Sequence, residues 1–413
     1  MKHHYTPRDY LHFAQFYWRG RRRQQRWGRQ FETSVRDQSF KLPSAAVVQF
    51  IPTEACNLGC PFCNQWGENG YFLAGSRKVE SMDPLAIATL IRSLSPRDSL
   101  INVHGGEPFA YKHVDNLLTE LAERDFDVLI TTNGTLVQKH LAAVARIKNL
   151  AFILSIDGDE TLHDSVRGKG TFSQITEGLA CLFDLRRSLS LPLPLVIMSS
   201  VVCEWTTDVI QKAYRTASEL GVFMINYNLR YFMPESAGLA YEKHLQEEMG
   251  VTSSGAWRGW VAPEHDKHDY RESTAALRRL LKQKRLKLWP PYAVSGPSHL
   301  RGKDFDNWFS DYLDTFGNES CFMPFYWARI HANGDLIFCP GHPDVIAGNV
   351  FRDGFMESFN SEMAVRFRKY ILLNRLPICN RCCGLYMTNP ARKVEQKARR
   401  NLGLGRKVMV HYP

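Results

Sequence analysis

Two adjoining stretches decide the reading: Ala45-Ala-Val-Val-Gln-Phe-Ile51, then Glu54-Ala-Cys56-Asn-Leu-Gly-Cys60-Pro-Phe62-Cys63. The first is a β-type run of small, β-branched and aromatic residues. The second is a loop carrying three cysteines in C-x3-C-x2-C spacing. Three thiolates so close together can hold three irons of a [4Fe–4S] cube and leave the fourth iron open to a chelating small molecule. A zinc site ordinarily draws four ligands from two C-x2-C-like pairs, which this loop does not supply.

Downstream, apolar strand-like runs alternate with helix-like segments. Strands are expected near 47–52, 100–104, 127–132, 151–156, 194–203 and 222–229, with amphipathic segments at 84–94, 113–124, 138–147, 173–187 and 206–220. Strands separated by crossovers of helical length predict a parallel sheet covered by helices. The fold class expected is therefore α/β: a partial (β/α)6 TIM-like barrel, with its site built by loops at the strand C-termini, followed by a small C-terminal domain described below.

Further motifs stand at the ends of the expected strands: His104-Gly105-Gly106-Glu107-Pro108, then Thr131-Thr132-Asn133-Gly134, then Ser155-Ile156-Asp157-Gly158 with His163 and Arg167. Behind C-x3-C-x-aromatic-C, this order resembles the radical S-adenosylmethionine (SAM) superfamily. The resemblance covers roughly 45–230 and 321–383. It implies that Cys56, Cys60 and Cys63 bind the cluster, that SAM chelates its open iron, and that one electron cleaves SAM to a 5′-deoxyadenosyl radical that abstracts a substrate hydrogen. It also implies that Phe62 lies near the adenine, that the backbone of Gly105, Gly106, Glu107 and Pro108 binds the SAM amino group, that Asn133 and Ser155 line the cofactor, and that Arg167 holds its carboxylate. A guanidinium fork suits a carboxylate.

A second set of cysteines spans Cys321, Cys339, Cys379 and Cys382, with Cys383 adjacent. Four thiolates from an expected Asn333-Gly334 hairpin and a distant C-x2-C can close one auxiliary [4Fe–4S] ligand set. The region resembles SPASM or its shorter twitch form. No cysteine follows Cys383, so one auxiliary cluster is expected. Cys382 is favoured over Cys383 on spacing, with four-thiolate zinc as the bland alternative.

The expected organisation is a basic, aromatic helical extension at 1–44, the partial barrel at 45–230, an insert at 231–320, a SPASM/twitch-like auxiliary-cluster domain at 321–390 and a basic tail at 391–413. The chain of 413 residues carries net charge +10. Residues 1–30 hold eight Lys/Arg against Asp9 alone, and 391–413 hold seven against Glu395 alone. The basic excess thus lies in the ends. Without a secretory h-region or a roughly 20-residue apolar span, a cytoplasmic location is expected, peripheral to the membrane if residues 1–30 meet an anionic surface. No nucleic-acid module is present, and no specific nucleic acid is expected.

Lesser candidates remain. Cys203, at an expected strand end, is a speculative hydrogen donor, though a lone strand cysteine is more often a small buried hydrophobe. Trp66, Gly67, Glu68 and Gly70 line either the substrate face or a structural loop. In the insert, Trp257, Arg258, Trp260, Arg285, Lys287 and Trp289 suit a sugar or phosphate by composition. The expected substrate is a small molecule or conjugate (carbohydrate, aminocyclitol, nucleoside or lipid-linked head group), and the expected electron donor is a flavodoxin or ferredoxin. The alternatives are a ribosomal-peptide maturase of the SPASM type and a non-catalytic iron–sulfur carrier or sensor.

Overall fold

The computed structural model describes residues 5–75, 77–206, 208–261, 275–276, 279, 292–295, 304–318, 320–339 and 343–387. The C-terminal tail and Arg285, Lys287 and Trp289 lie outside the described residues.

Ten strands form one sheet: β1 (Val47–Phe50), β2 (Leu100–Val103), β3 (Asp127–Thr132), β4 (Asn149–Ser155), β5 (Leu195–Val202), β6 (Met224–Leu229), β7 (Tyr292–Ser295), β8 (Trp327–Ile330), β9 (Asp335–Ile337) and β10 (Ile346–Asn349). Their order is β10-β9-β8-β1-β2-β3-β4-β5-β6-β7. The six expected strands fall where the alternation put them. Two more join them in parallel: β7 beside β6, from Ile225↔Tyr292 to Asn228↔Ser295, and β8 beside β1, from Val47↔Trp327 to Phe50↔Ile330. β9 and β10 then turn antiparallel at the β8 side. β7 and β8 do not pair, so the curved sheet stays open between them. The C-terminal region thus continues the barrel sheet directly.

Helices cover the outside, and several starts are legible in the residues. In α2 (Pro84–Ser93), the Asp83 carboxylate accepts from the Leu85 and Ala86 amides and Pro84 opens the first turn, satisfying donors a helix start leaves unpaired. α5 (Glu160–Arg167) is capped by Asp159 and ends at Gly168, whose φ of 118° suits glycine. The sequence pattern missed this short helix. The remaining barrel helices are α3 (Val114–Glu123), α4 (Leu141–Arg146), α6 (Thr171–Ser188) and α7 (Val209–Leu220).

The first helix, α1 (Pro7–Arg36), opens with a Thr6/Asp9 capping box. It runs across the N-terminal ends of the strands. Asp9 accepts from the Leu193 amide just before β5, and Arg19 and Arg23 reach Asp127 at the start of β3 at 2.6 and 2.5 Å. Arg26 donates to the Arg97 carbonyl before β2, and the Trp27 indole donates to the Phe325 carbonyl before β8 at 2.7 Å. Phe13, Trp27, Phe31 and Val35 are buried beneath it; burying such side chains contributes about 1.5–3 kcal/mol each. α1 is therefore the floor of the barrel. No helix among the described residues is long and apolar enough to cross a membrane.

Candidate functional site at the strand C-termini

A cavity of about 390 Å³ opens at the opposite end, lined by the loops that leave β1 to β6. Cys56, Cys60 and Cys63 stand on one wall with Phe62. His104, Gly106, Thr131, Asn133, Ser155 and Arg167 follow round the rim, and Tyr231, Trp260, Trp308 and Cys383 close the far side.

The first cysteine loop is held by its neighbours. The Asn133 side-chain amide donates to Asn57 Oδ1 at 2.9 Å, Asn57 donates to the Thr135 hydroxyl at 2.9 Å, and the Glu107 amide donates to the Ala55 carbonyl at 2.8 Å. A Cβ at Gly106 would run into the Ala55 carbonyl, and one at Gly67 would meet the Cys63 carbonyl at 2.5 Å. Only glycine allows backbone this close to the loop. Asn57 and Thr135 were not singled out from sequence; their partners come from different strand ends.

Arg167 arrives on α5 with its Nε donating to Asp157 Oδ2 at 2.6 Å, while its Nη1 lies 3.8 Å from the Cys60 sulfur. Its guanidinium sits 5.2 Å from the Phe62 ring centroid. Asp157 is itself fixed by the Val201 amide at 2.7 Å. Arg167 is thus oriented by a buried carboxylate and turned to the cysteine loop.

The expectation for Glu107 concerns the backbone of its segment, and its side chain has a separate place. Its carboxylate does not line the cavity. It accepts from the Thr132 hydroxyl at 2.6 Å, the Asn133 amide at 2.8 Å and the Phe109 amide at 3.0 Å. Burial pushes its pKa up to about 7 against those three donors. It ties the loop after β2 to the loop after β3. Gly105 and Pro108 also lie off the cavity, and of that segment only Gly106 and the preceding His104 line it. His104 accepts from the Gly105 amide through Nδ1 at 2.7 Å, and burial lowers its pKa to about 3.

Cys203 is fully buried with its sulfur 3.3 Å from the Thr206 hydroxyl, turned away from the cavity. Trp66 donates to the Glu54 carbonyl at 2.9 Å and packs on Phe72, so its loop is structural. In the insert, Trp257 is core, donating to Glu242 at 2.9 Å, and Arg258 covers it at 4.4 Å. Trp260 alone of the three faces the cavity, edge-on to Tyr231 at 4.5 Å.

Cys321, Cys339, Cys379 and Cys382 gather behind the far wall. Each is near enough to others of the set for their charges to act on one another: Cys339 feels Cys379 and Cys321, and Cys382 feels Cys383, Cys379 and Cys321. Burial pushes Cys56 and Cys321 up to about 12 and Cys379 to about 11. Dry, clustered thiols of this kind are poor free thiolates and good iron ligands, because bonding to a cation removes the cost of the buried charge. Among the described residues no three His, Cys, Asp or Glu side chains converge on one ion. The first set lines one wall of the cavity of about 390 Å³.

The chain matches the family model for the radical SAM superfamily over residues 50–196 and that for the iron–sulfur cluster-binding SPASM domain over 321–383. It carries a radical SAM domain and a SPASM iron–sulfur domain. Radical SAM proteins with a SPASM domain take SAM and [4Fe–4S] clusters. The relatives include the Fe-coproporphyrin III synthase of Methanosarcina barkeri, 30% identical over 34% of this chain and 34% of that protein. Another is the serine-type anaerobic sulfatase-maturating enzyme of Bacteroides thetaiotaomicron, 30% identical over 31% of this chain and 34% of that one. The match spans about a third of the length of these curated relatives. Among solved structures, Streptococcus suis SuiB superposes with a TM-score of 0.56 at 16% identity, covering 81% of this chain and 70% of SuiB. The structure of anSMEcpe with bound AdoMet gives 0.54 at 14% identity, covering 87% and 98%. These likenesses establish a shared fold.

Proposed function

We propose that this radical SAM protein modifies a polypeptide, with Cys56, Cys60 and Cys63 holding the SAM-binding cluster and Cys321, Cys339, Cys379 and Cys382 an auxiliary one. The observation that carries the reading is the cavity itself. It is open, bounded by the first cysteine loop on one side and by the aromatic wall of Tyr231, Trp260 and Trp308 on the other, with the second cysteine set behind that wall. Such a cleft admits one side chain of a longer chain and excludes water around it. Two supports come from relatives: a sulfatase-maturating enzyme matches in sequence, and the SuiB and anSMEcpe folds were determined with a precursor peptide and with peptides, respectively. The small-molecule reading keeps one support of its own, the match to Fe-coproporphyrin III synthase.

When bound, the cluster and SAM supply one-electron chemistry, reductive SAM cleavage followed by hydrogen abstraction, with the electron drawn from a flavodoxin- or ferredoxin-type donor. The chain's own residues do the positioning. Arg167, held by Asp157, presents its guanidinium beside Cys60 and is the residue suited to a SAM carboxylate. Phe62 offers a ring for the adenine, Gly106 admits close backbone approach, and Ser155 and Asn133 complete the rim.

The test is 5′-deoxyadenosine formation by the anaerobically reconstituted protein with SAM and reductant, stimulated by fractions of an extract from the source cells. Stimulation by a peptide fraction, lost after protease treatment, supports the proposal. Stimulation by a protease-resistant low-molecular-mass fraction overturns it in favour of the small-molecule reading.

A further inference from the structure

The floor helix has an outer face that neither the barrel nor the cavity uses. Arg8, Leu11, Trp18, Arg22 and Arg29 recur at three-, four- and seven-residue steps along α1, and every one is exposed. Leu11 is 63% and Trp18 61% accessible, one turn pair apart, with Tyr17 beside Trp18 in an edge-on pair at 5.6 Å. The inner arginines are spoken for: Arg19 and Arg23 by Asp127, Arg26 by Asp98. The one acidic residue in the first two-thirds of the helix, Asp9, is buried against the Leu193 amide and Arg187. The outer stripe therefore carries guanidiniums at both ends, an indole and an isobutyl group at its centre, and no carboxylate.

We infer that this face docks the protein on an anionic lipid surface. Guanidiniums alone would suit any polyanion. The exposed Leu11 and Trp18 are what select a bilayer, since an isobutyl group gains nothing from phosphates but gains from acyl chains, and an indole settles at the headgroup level. Arginines flanking them match the negative surface potential of anionic lipid. Because α1 crosses the strand N-termini while the cavity opens at the strand C-termini, a docked molecule holds its cavity mouth away from the bilayer. Docking is therefore independent of the cleavage chemistry and of the substrate proposed above.

The test uses the full chain and sedimentation with vesicles of phosphatidylcholine containing about 30 mol% phosphatidylglycerol, against pure phosphatidylcholine. The protein is expected to pellet with the anionic vesicles and much less with the neutral ones. The Leu11→Ala/Trp18→Ala variant is expected to lose about tenfold or more in vesicle affinity, with unchanged thermal unfolding and unchanged SAM cleavage. Arg8→Gln/Arg22→Gln/Arg29→Gln is expected to abolish the preference for anionic lipid. Full vesicle binding by the Leu11→Ala/Trp18→Ala variant would overturn the inference. So would wild-type protein that binds a uridylate oligonucleotide but not the vesicles, which would reassign the face to nucleic acid.

Discussion

The two cysteine sets are built in opposite ways. Cys56, Cys60 and Cys63 belong to one short loop hung from the end of β1, braced by Asn133, Thr135 and Gly106. Cys321, Cys339, Cys379 and Cys382 come from separate pieces: the segment before β8, the end of the β8–β9 hairpin, and a 3₁₀ turn at Pro377–Arg381. The first set is a local arrangement borne by a finished sheet. The second joins segments and so bears on the fold of the C-terminal region. A ligand set drawn from distant segments couples metal binding to folding; one confined to a loop couples it to chemistry.

The largest effect that would break this contrast is on catalysis. Cys60→Ala with Cys63→Ala should reduce 5′-deoxyadenosine, measured by chromatography, to the level of a protein-free control, with a thermal midpoint near that of the parent. Cys339→Ala or Cys379→Ala should do the reverse. We expect several kcal/mol of lost stability in urea unfolding, on the order of what a structural metal site contributes, with SAM cleavage surviving in the folded fraction. If the first pair unfolds the protein, or the second pair leaves stability intact, the contrast is wrong.

A smaller effect concerns the link between the two regions. Buried Glu54, two residues before Cys56, accepts from His331 Nδ1, just after β8, at 2.9 Å, and lies 3.6 Å from Arg77. Glu54→Gln removes the charge these groups face and should cost about 1–3 kcal/mol, with the loss read by hydrogen exchange in both β1 and β8. Protection lost at β8 alone would show that the regions are not coupled there.

The smallest expected effect is that of pH, and it should fall on the frame of the first loop. His104 and His163 each accept a backbone amide through Nδ1, from Gly105 and Asp157, so both are held neutral. Burial lowers them to about 3 and about 4. Their stabilisation is complete above the ordinary histidine pKa and is lost as pH falls through roughly 6.5 toward 4. Glu107, raised to about 7, acts oppositely, because the folded state keeps its proton where the unfolded state does not. His331, also lowered to about 4 by burial, acts in the same direction, so the histidines outweigh Glu107 and stability is expected to fall as pH drops from about 6 to 4.5. Urea unfolding across that range checks it, and a flat profile would refute the neutral-histidine frame.

The contrast also explains what could be read from the chain. The six strands and the first cysteine loop follow from local pattern, and they fell in place. β8 was legible as a hairpin arm, but its pairing with β1 joins residues 280 apart (Val47↔Trp327), which no window of sequence reveals. β7 is four residues in a Lys/Arg/Pro-rich segment without alternation. The Gly-Gly-Glu-Pro segment marks Glu107, but the tie its buried carboxylate makes is not legible there, because two of its three donors, the Thr132 hydroxyl and the Asn133 amide, come from the next strand end. Trp257 and Trp260 look alike in sequence. The 3₁₀ turn at Ala256–Trp260 sends one to the core and the other to the cavity.

The floor helix carries a consequence for the order in which the protein is made. α1 is made before every strand of the sheet, yet its seat is composed of strand beginnings spread along the chain, and Trp27 finds its partner carbonyl at Phe325, 298 residues later. Contacts this distant close late and slow folding. Until β8 is made the helix carries Phe13, Trp27, Phe31 and Val35 without their full cover, so an element made before the whole sheet is among the last to be shielded from water, and a nascent chain stalled before β8 presents that apolar face to whatever binds it.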